Sequence, residues 1–142
     1  MQEHSIIQLE EIGSSDIGYL SFFESCKDIP FAINRIYFTY AVPENGHRGM
    51  HAHKKLQQVL WCPFGSIEVL VHDGNSQTSY KLDTPSKLLY IDSGLWRDIF
   101  WLKENSVLIV AASDYYKEDD YIRNFDEFKL MANKGYWRNG GI

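Results

Sequence analysis

Apolar and polar residues alternate with a period of two through the middle of the chain, the spacing typical of a β-strand with two unlike faces. The stretch NRIYFTYAV at residues 34–42 shows this alternation clearly. One face carries Ile36, Phe38, Tyr40 and Val42. The other face carries Arg35, Tyr37 and Thr39. The pattern predicts a strand that separates an apolar environment from a polar one.

Several other short apolar runs predict further strands. SIEVLVHDGN at residues 66–75 places Ile67, Val69 and Val71 on an inward face and ends in Asp73-Gly74, a strong hairpin signal. The return strand is predicted at TSYKL. The remaining predicted strands are KLLYI, DIFWL and SVLIVAA, with IIQLEEI and YLSFF nearer the N-terminus.

About eight short strands with frequent turns indicate a β-sandwich or a small barrel. One helix is predicted near the C-terminus, where Tyr121, Phe125 and Phe128 recur at helical spacing and Gly135 ends the run. The acidic run at residues 118–120 is interpreted as a solvated loop before this helix. We therefore expect one all-β domain over residues 1–142 with a short C-terminal helix.

Composition narrows the possible functions. The 142 residues are 44% hydrophobic, which is enough for a packed core, and the formal net charge is −5. That charge argues against a nucleic-acid or anionic-membrane surface but permits an anionic small molecule bound by a few arginines. The two cysteines form no CxxC motif, and neither a signal peptide nor an apolar run of about 18 residues is evident. These features favour a cytoplasmic protein with neither a nucleic acid nor a membrane as partner.

The stretch GMHAHKKLQQVLWCPFG at residues 49–65 contains two histidines one residue apart. On a strand, His51 and His53 project from the same face, which suits a metal site, an acid–base pair or an ordinary surface. With Gln58 and Gly65, the spacing resembles the first metal-binding motif of the cupins, HxH-x(3,4)-E-x6-G, with glutamine in place of glutamate. The second cupin motif, PxG-x2-H, corresponds to residues 92–97 with Arg97 in place of histidine.

Both departures disfavour a metal. A neutral amide is a weaker ligand than a carboxylate, and a guanidinium repels a cation. Without a metal, His51 and His53 are candidates for proton transfer near neutral pH. Tyr37 can donate a hydrogen bond, and Arg35, Arg48 and Arg97 suit a phosphate-bearing substrate. The residues therefore indicate proton transfer on an anionic substrate that contains a carbonyl.

At this point the sequence resembles the dTDP-4-oxo-6-deoxyglucose 3,4-ketoisomerases, a WxcM-like family. The matching segments are DIPFAINRIYF, RGMHAHKKLQQVL, GSIEVLVHDG, SGLWRDIF and VLIVAASDYYKEDDYIRNFDEF. The resemblance implies an RmlC-like cupin jelly roll, commonly a homodimer, with neither a metal nor a redox cofactor. It implies a dTDP-linked 4-keto-6-deoxyhexose as substrate, whose carbonyl moves from C4 to C3 on the way to 3-amino-3,6-dideoxy sugars.

The resemblance also implies roles for single residues. His51 matches the catalytic histidine, and Tyr37 matches the tyrosine close to it. His53, Arg48 and Arg97 fall in the substrate pocket, where we also place Arg35 and Gln58. For the thymine ring, Trp96 or a tyrosine is the expected stacking partner. Arg97 slightly favours a gluco product over a galacto product at C4.

Three other functions remain open from the sequence. An epimerase acting on the same dTDP-4-keto sugar begins with the same removal of a proton beside the ketone. A catalytically silent binding module would bind the nucleotide sugar without exchanging its hydrogens. A metal-dependent oxygenase of the cupin type would need bound iron.

Overall fold

A computed structural model describes residues 2–138, and the expected domain extends beyond it at residues 1 and 139–142. The described residues form twelve strands, one short 3₁₀-helix and one α-helix. The first six strands are β1 (His4–Gln8), β2 (Ile12–Ser14), β3 (Gly18–Leu20), β4 (Arg35–Thr39), β5 (His47–His53) and β6 (Gln58–Phe64). The others are β7 (Ile67–His72), β8 (Gln77–Leu82), β9 (Lys87–Ile91), β10 (Trp96–Trp101), β11 (Val107–Ala112) and β12 (Tyr121–Ile122). The 3₁₀-helix is Glu118–Asp120, and α1 is Phe125–Asn133.

Ten strands form two antiparallel five-stranded sheets, and β2 pairs with β3 in a separate hairpin. The strand orders are β1-β9-β6-β11-β4 and β12-β5-β10-β7-β8. Inward-facing side chains of both sheets, among them Val69, Leu89 and Trp101, form one buried core. This arrangement is the expected jelly roll, although the two sheets do not close into a continuous barrel. The gap between edge strand β4 and the β5–β12 pair leaves an open side.

The hairpin predicted around Asp73-Gly74 is confirmed. Strands β7 and β8 pair from Ile67↔Leu82 to His72↔Gln77. The Asp73 carboxylate accepts hydrogen bonds from the backbone N–H groups of Asn75 and Ser76 at 2.8 and 2.7 Å, which stabilises the turn.

Strand β4 has the predicted two faces, but the polar face is the one inside the sandwich. Its apolar face is exposed to solvent, with Phe38 61% exposed and stacked on Tyr40. The opposite face, with Arg35, Tyr37 and Thr39, lines a cavity between the sheets. Tyr37 of this face also packs against the main core, so the cavity lies at the edge of that core.

Three sequence predictions need correction at their boundaries. The run IIQLEEI is divided between β1 and β2, and only Tyr19 and Leu20 of YLSFF belong to a strand. Tyr121 lies in β12, paired with His53, and not in the helix. The helix begins after Asn124, whose side chain accepts a hydrogen bond from the backbone N–H of Glu127 at 2.9 Å.

Gly135 follows α1 with a positive φ of 79°, a conformation typical of the glycine that ends a helix, as predicted.

Within residues 2–138, no helix has the length and apolar character that crossing a membrane requires.

Candidate active site

The open side of the sandwich contains two neighbouring cavities. The first, of about 390 Å³, is called the His51 cavity and is lined by Arg35, Tyr37, Thr39, Arg48, His51 and Tyr121, among others. The second, of about 360 Å³, is called the His53 cavity and is lined by Arg35, His53, Lys55, Gln57, Ser113 and Tyr121, among others. Arg35 and Tyr121 belong to both walls, so the two cavities are adjacent. Together they contain most of the predicted site residues.

His51 is held in one tautomer by a bulge in β5. Gly49 and Met50 both have positive φ, and the register with β10 shifts opposite Gly49. This geometry places the Gly49 carbonyl 3.0 Å from Nδ1 of His51. Because a carbonyl only accepts, Nδ1 of the neutral ring carries the hydrogen and Nε2 carries a lone pair. That Nε2 is buried and has no hydrogen-bond partner among the described residues.

His53 has the same tautomer, but its anchor is a carboxylate. Its Nδ1 lies 3.0 Å from Oδ2 of Asp120, so Nδ1 again donates and Nε2 again keeps a lone pair. This Nε2 is also buried, with no polar partner in residues 2–138. The two imidazole rings meet edge to face, with their centroids 4.9 Å apart. Two neighbouring rings therefore each keep an unengaged Nε2.

Both imidazoles are neutral at neutral pH. Burial, followed by the positive charge of Arg97 and then by the neighbouring His53, lowers the pKa of His51 to about 2. Burial also lowers the pKa of His53 to about 4, although the hydrogen bond to Asp120 opposes that shift. For Asp120, burial raises the pKa, but hydrogen bonds from His53 and the backbone N–H of Lys55 outweigh it and leave the pKa below its usual value. The site therefore contains two bases and one ionised carboxylate.

A chain of hydrogen bonds links Tyr37, Gln58 and Arg97. The Gln58 amide donates from Nε2 to the Tyr37 hydroxyl at 3.2 Å, while its Oε1 accepts from Nη1 of Arg97. Nη2 of Arg97 donates to the Leu95 carbonyl at 2.9 Å. Burial lowers the pKa of Arg97 to about 10, so the guanidinium remains charged. Gln58 occupies only the hydroxyl oxygen of Tyr37, which leaves the hydroxyl hydrogen available to a substrate.

The arginines differ in their exposure and in the cavities that they line. Arg35 lies between both cavities, with its guanidinium carbon 5.4 Å from the centre of the Tyr37 ring, and its Nε is buried without a partner in the described chain. Arg48 is exposed on β5 and lines the His51 cavity. Gln58 and Arg97 are each only 1% exposed, so Gln58 acts on the cavity through its hydrogen bond to Tyr37 and Arg97 through its charge.

The prediction that Trp96 stacks on a base is wrong. Trp96 is 5% exposed because α1 covers it, and its ring packs against Phe125 and Phe128 at centroid distances of 5.2 and 5.9 Å. Its Nε1 donates to Asp98 at 3.1 Å. Both the ring face and the polar edge of Trp96 are therefore already engaged within the protein.

Sequence reasoning missed two residues of the site, Asp120 and Tyr121. The Tyr121 ring lies 5.1 Å from His51 and 4.4 Å from His53, and the Arg123 guanidinium lies 4.2 Å from its centre. The spacing of Tyr121 fits a helical period and so predicts a helix, and the acidic run that contains Asp120 predicts a solvated loop. Their position in the segment DDYIRNFDEF, which the family resemblance already included, was the available signal.

Comparison with known proteins identifies the family. The family model FdtA, described as WxcM-like, C-terminal, matches residues 2–133. A TDP-4-oxo-6-deoxy-α-D-glucose-3,4-oxoisomerase from Aneurinibacillus thermoaerophilus is 42% identical over 132 residues, which cover 93% of this chain and 94% of that protein.

Solved structures give the same result. QdtA, a sugar 3,4-ketoisomerase from Thermoanaerobacterium thermosaccharolyticum in complex with TDP, is 39% identical with a TM-score of 0.89, covering 94% of this chain and 96% of that one. The TDP-quinovose 3,4-ketoisomerase WlaRB from Campylobacter jejuni is 36% identical with a TM-score of 0.86, covering 92% and 99%. The expected family is confirmed: the chain belongs to the FdtA family of WxcM-like proteins.

Proposed function

We propose that this protein is a dTDP-4-keto-6-deoxyglucose 3,4-ketoisomerase, which moves the carbonyl from C4 to C3 of the sugar. The observation that carries the proposal is the pair of neutral imidazoles, each with a buried, unengaged Nε2, with His51 lining the same cavity as Tyr37. The named activities of the relatives support it, because the Aneurinibacillus protein, QdtA and WlaRB are all named as 3,4-keto- or oxoisomerases.

His51 is proposed as the group that moves the proton between the two carbons. The C3–H bond is acidic because it lies next to the C4 ketone, and the neutral Nε2 of His51 takes this proton. The electron pair of the C3–H bond forms the C3–C4 double bond of an enediolate, with negative charge on O4. Return of the proton from Nε2 to C4, with transfer of the O3 proton to O4, leaves a hydroxyl at C4 and a carbonyl at C3. No electrons leave the substrate.

Positive charge and hydrogen-bond donors near the cavity support this step. The Tyr37 hydroxyl is available to donate to the developing O4 oxyanion. Arg97 is buried and charged, and it is paired with His51 across the β5–β10 ladder. The resulting field favours an enediolate, and it also keeps His51 unprotonated before the substrate binds.

The nucleotide part of the substrate is assigned to the arginine-bearing walls. Arg48, exposed at the His51 cavity, and Arg35, shared by both cavities, are the proposed diphosphate ligands. A tyrosine of the cavity walls, such as Tyr116, takes the place of Trp96 as the proposed stacking partner of thymine. We also propose the gluco product at C4, because position 97 is an arginine and the similar protein WlaRB is named for TDP-quinovose.

A homodimer is proposed from the exposed apolar surface. The outer face of β4 exposes Ile36 and Phe38, Tyr40 just after the strand is also exposed, and so is every residue of β2 and β3. An isolated two-stranded hairpin has little stability of its own. A second copy of the chain covering both features would explain their apolar side chains. We also propose a cytoplasmic location, since both cysteines are free.

Product analysis by ¹³C NMR tests the proposed function against its alternatives. The purified protein is incubated with dTDP-4-keto-6-deoxyglucose, and the position of the carbonyl and the configuration of each ring carbon are assigned. We expect a carbonyl at C3. A carbonyl that stays at C4 with an inverted neighbouring centre would indicate the epimerase. Unchanged sugar that still binds the protein would indicate a silent binding module.

A further inference from the structure

The two imidazoles of the site have different supports. His51 donates its Nδ1–H to the neutral Gly49 carbonyl, whereas His53 donates to the carboxylate of Asp120. Among the residues the structure describes, Asp120 is the only carboxylate that hydrogen-bonds to either ring. A carboxylate stabilises an imidazolium far more than a carbonyl does. The two histidines are therefore not equivalent. Protonation of Nε2 is more favourable for His53 than for His51.

Asp120 is fixed before any substrate binds. Its Oδ1 accepts from the backbone N–H of Lys55 at 2.9 Å, and its own carbonyl accepts from the N–H of Lys54 at 2.9 Å. These contacts hold the carboxylate against the end of β5 and leave Oδ2 for His53. A group that is oriented by the backbone in this way needs no rearrangement when charge develops on its partner.

The reaction requires a second proton carrier. While the Nε2 of His51 holds the carbon proton, it has no lone pair for the O3 proton, which must move to O4. His53 is the neighbouring ring, with its centroid 4.9 Å from that of His51, and its Nε2 has no hydrogen-bond partner in the described chain. Without a counter-charge, two neighbouring imidazoliums would repel each other, and Arg97 and Arg35 would oppose the second one further. The aromatic Tyr121 also faces His53 and brings no such counter-charge.

We propose that Asp120 is a positioning residue that assigns the oxygen proton to His53. The carboxylate holds Nδ1–H in place, and it stabilises the imidazolium that forms when Nε2 takes the O3 proton. The same nitrogen then gives that proton to O4, so that His53 ends the cycle neutral. The carbon proton stays with His51. This inference rests on the proposed ketoisomerase function, and it divides the two proton transfers between the two histidines.

The test compares Asp120→Asn with the wild type and with Asp119→Asn in deuterated water. Asp119 is an exposed neighbour on the same 3₁₀-helix and serves as the matched control. We measure kcat, KM and the deuterium at C3 of recovered substrate for each product molecule formed. We expect Asp120→Asn to lower kcat about 100-fold with KM changed less than about threefold. Deuterium at C3 per product should rise, because an enediolate that cannot transfer its oxygen proton returns to substrate.

A purely structural role for Asp120 predicts a different result. A smaller folded fraction would lower product formation and C3 exchange in proportion, so an unchanged ratio of the two in Asp120→Asn would overturn the inference. A wild-type kcat in that variant would overturn it as well. If the wild-type protein itself forms no 3-keto sugar, the proposed function fails, which is a distinct outcome.

A second measurement does not depend on the variant folding. In ¹⁵N NMR of the wild type at pH 7, the inference requires His53 to carry its hydrogen on Nδ1 and a lone pair on Nε2. The opposite tautomer would overturn it. His53→Asn should raise the deuterium at C3 per product as Asp120→Asn does, and combining the two changes should add little because both remove the same carrier.

Discussion

Gln58 accepts a hydrogen bond from the guanidinium of Arg97. Gln58 stands where the first cupin metal motif has a glutamate, and Arg97 stands where the second has a histidine. The pair leaves a net positive charge beside His51 and His53. That charge contributes to the low pKa of both imidazoles, so the same two replacements that disfavour a metal also keep the histidines unprotonated.

Gln58→Leu should destabilise the fold. It leaves Nη1 of the buried Arg97 and the Tyr37 hydroxyl without their present partner, and we expect a loss of about 3 kcal/mol in the free energy of unfolding. Urea denaturation measures the change. Gln77→Leu, on the exposed face of β8, is the control and should change stability by less than about 0.5 kcal/mol. An equal effect of both substitutions would show that the Gln58 hydrogen bonds contribute little.

Stability should fall as the pH drops below about 6.5, the usual pKa of histidine. Below that pH the unfolded chain protonates His51 and His53, while the folded protein resists until their lowered pKa values of about 2 and about 4. Acid therefore favours unfolding, by about 2 kcal/mol for each histidine at pH 5. Urea denaturation between pH 5 and 8 measures the slope, which should become shallower in His53→Asn. An identical slope in both proteins would contradict the lowered pKa of His53.

The sequence predicted the strands better than the surroundings of their side chains. The alternation in β4 correctly separates Arg35, Tyr37 and Thr39 from the apolar face, but a period of two does not say which face meets solvent. The polar face points inward because it lines a ligand cavity, a feature that a hydrophobicity pattern cannot represent. The same pattern on β7, where the interior is an ordinary core, predicts the buried residues correctly.

The candidate site was predictable only where its residues share a motif. His51, His53, Gln58 and Arg97 follow from two short motifs, and the structure brings them together with Tyr37. Asp120 lies 67 positions from His53, and its neighbours Glu118 and Asp119 are solvated. The acidic run therefore did not indicate that one of its carboxylates binds His53. The burial of Trp96 is not predictable from its own strand, because nothing there indicates that α1 covers it.

Phe38→Asp should convert the proposed homodimer to a monomer. The substitution places a charge in the exposed apolar face of β4, which a dimer interface would have to desolvate. Light scattering coupled to size exclusion should give twice the chain mass of 16.5 kDa for the wild type and a single chain mass for the variant. Thr78→Asp, exposed on β8, is the control and should stay dimeric. A monomeric wild type, or a dimeric Phe38→Asp, would contradict the proposed interface.

The proposal that His51 moves the carbon proton depends on one comparison, between His51→Asn and His47→Asn. Both residues are on β5, but the His47 ring lies at the surface against Phe100 and bonds to Asp98. Each variant is mixed with dTDP-4-keto-6-deoxyglucose in deuterated water, and ¹H NMR follows the loss of the C3 proton signal while calorimetry measures binding. We expect His51→Asn to bind the sugar nucleotide yet lose the C3 proton at least about 100-fold more slowly than wild type, and His47→Asn to behave as wild type. A wild-type rate of C3 proton loss in His51→Asn would show that another group is the carbon base.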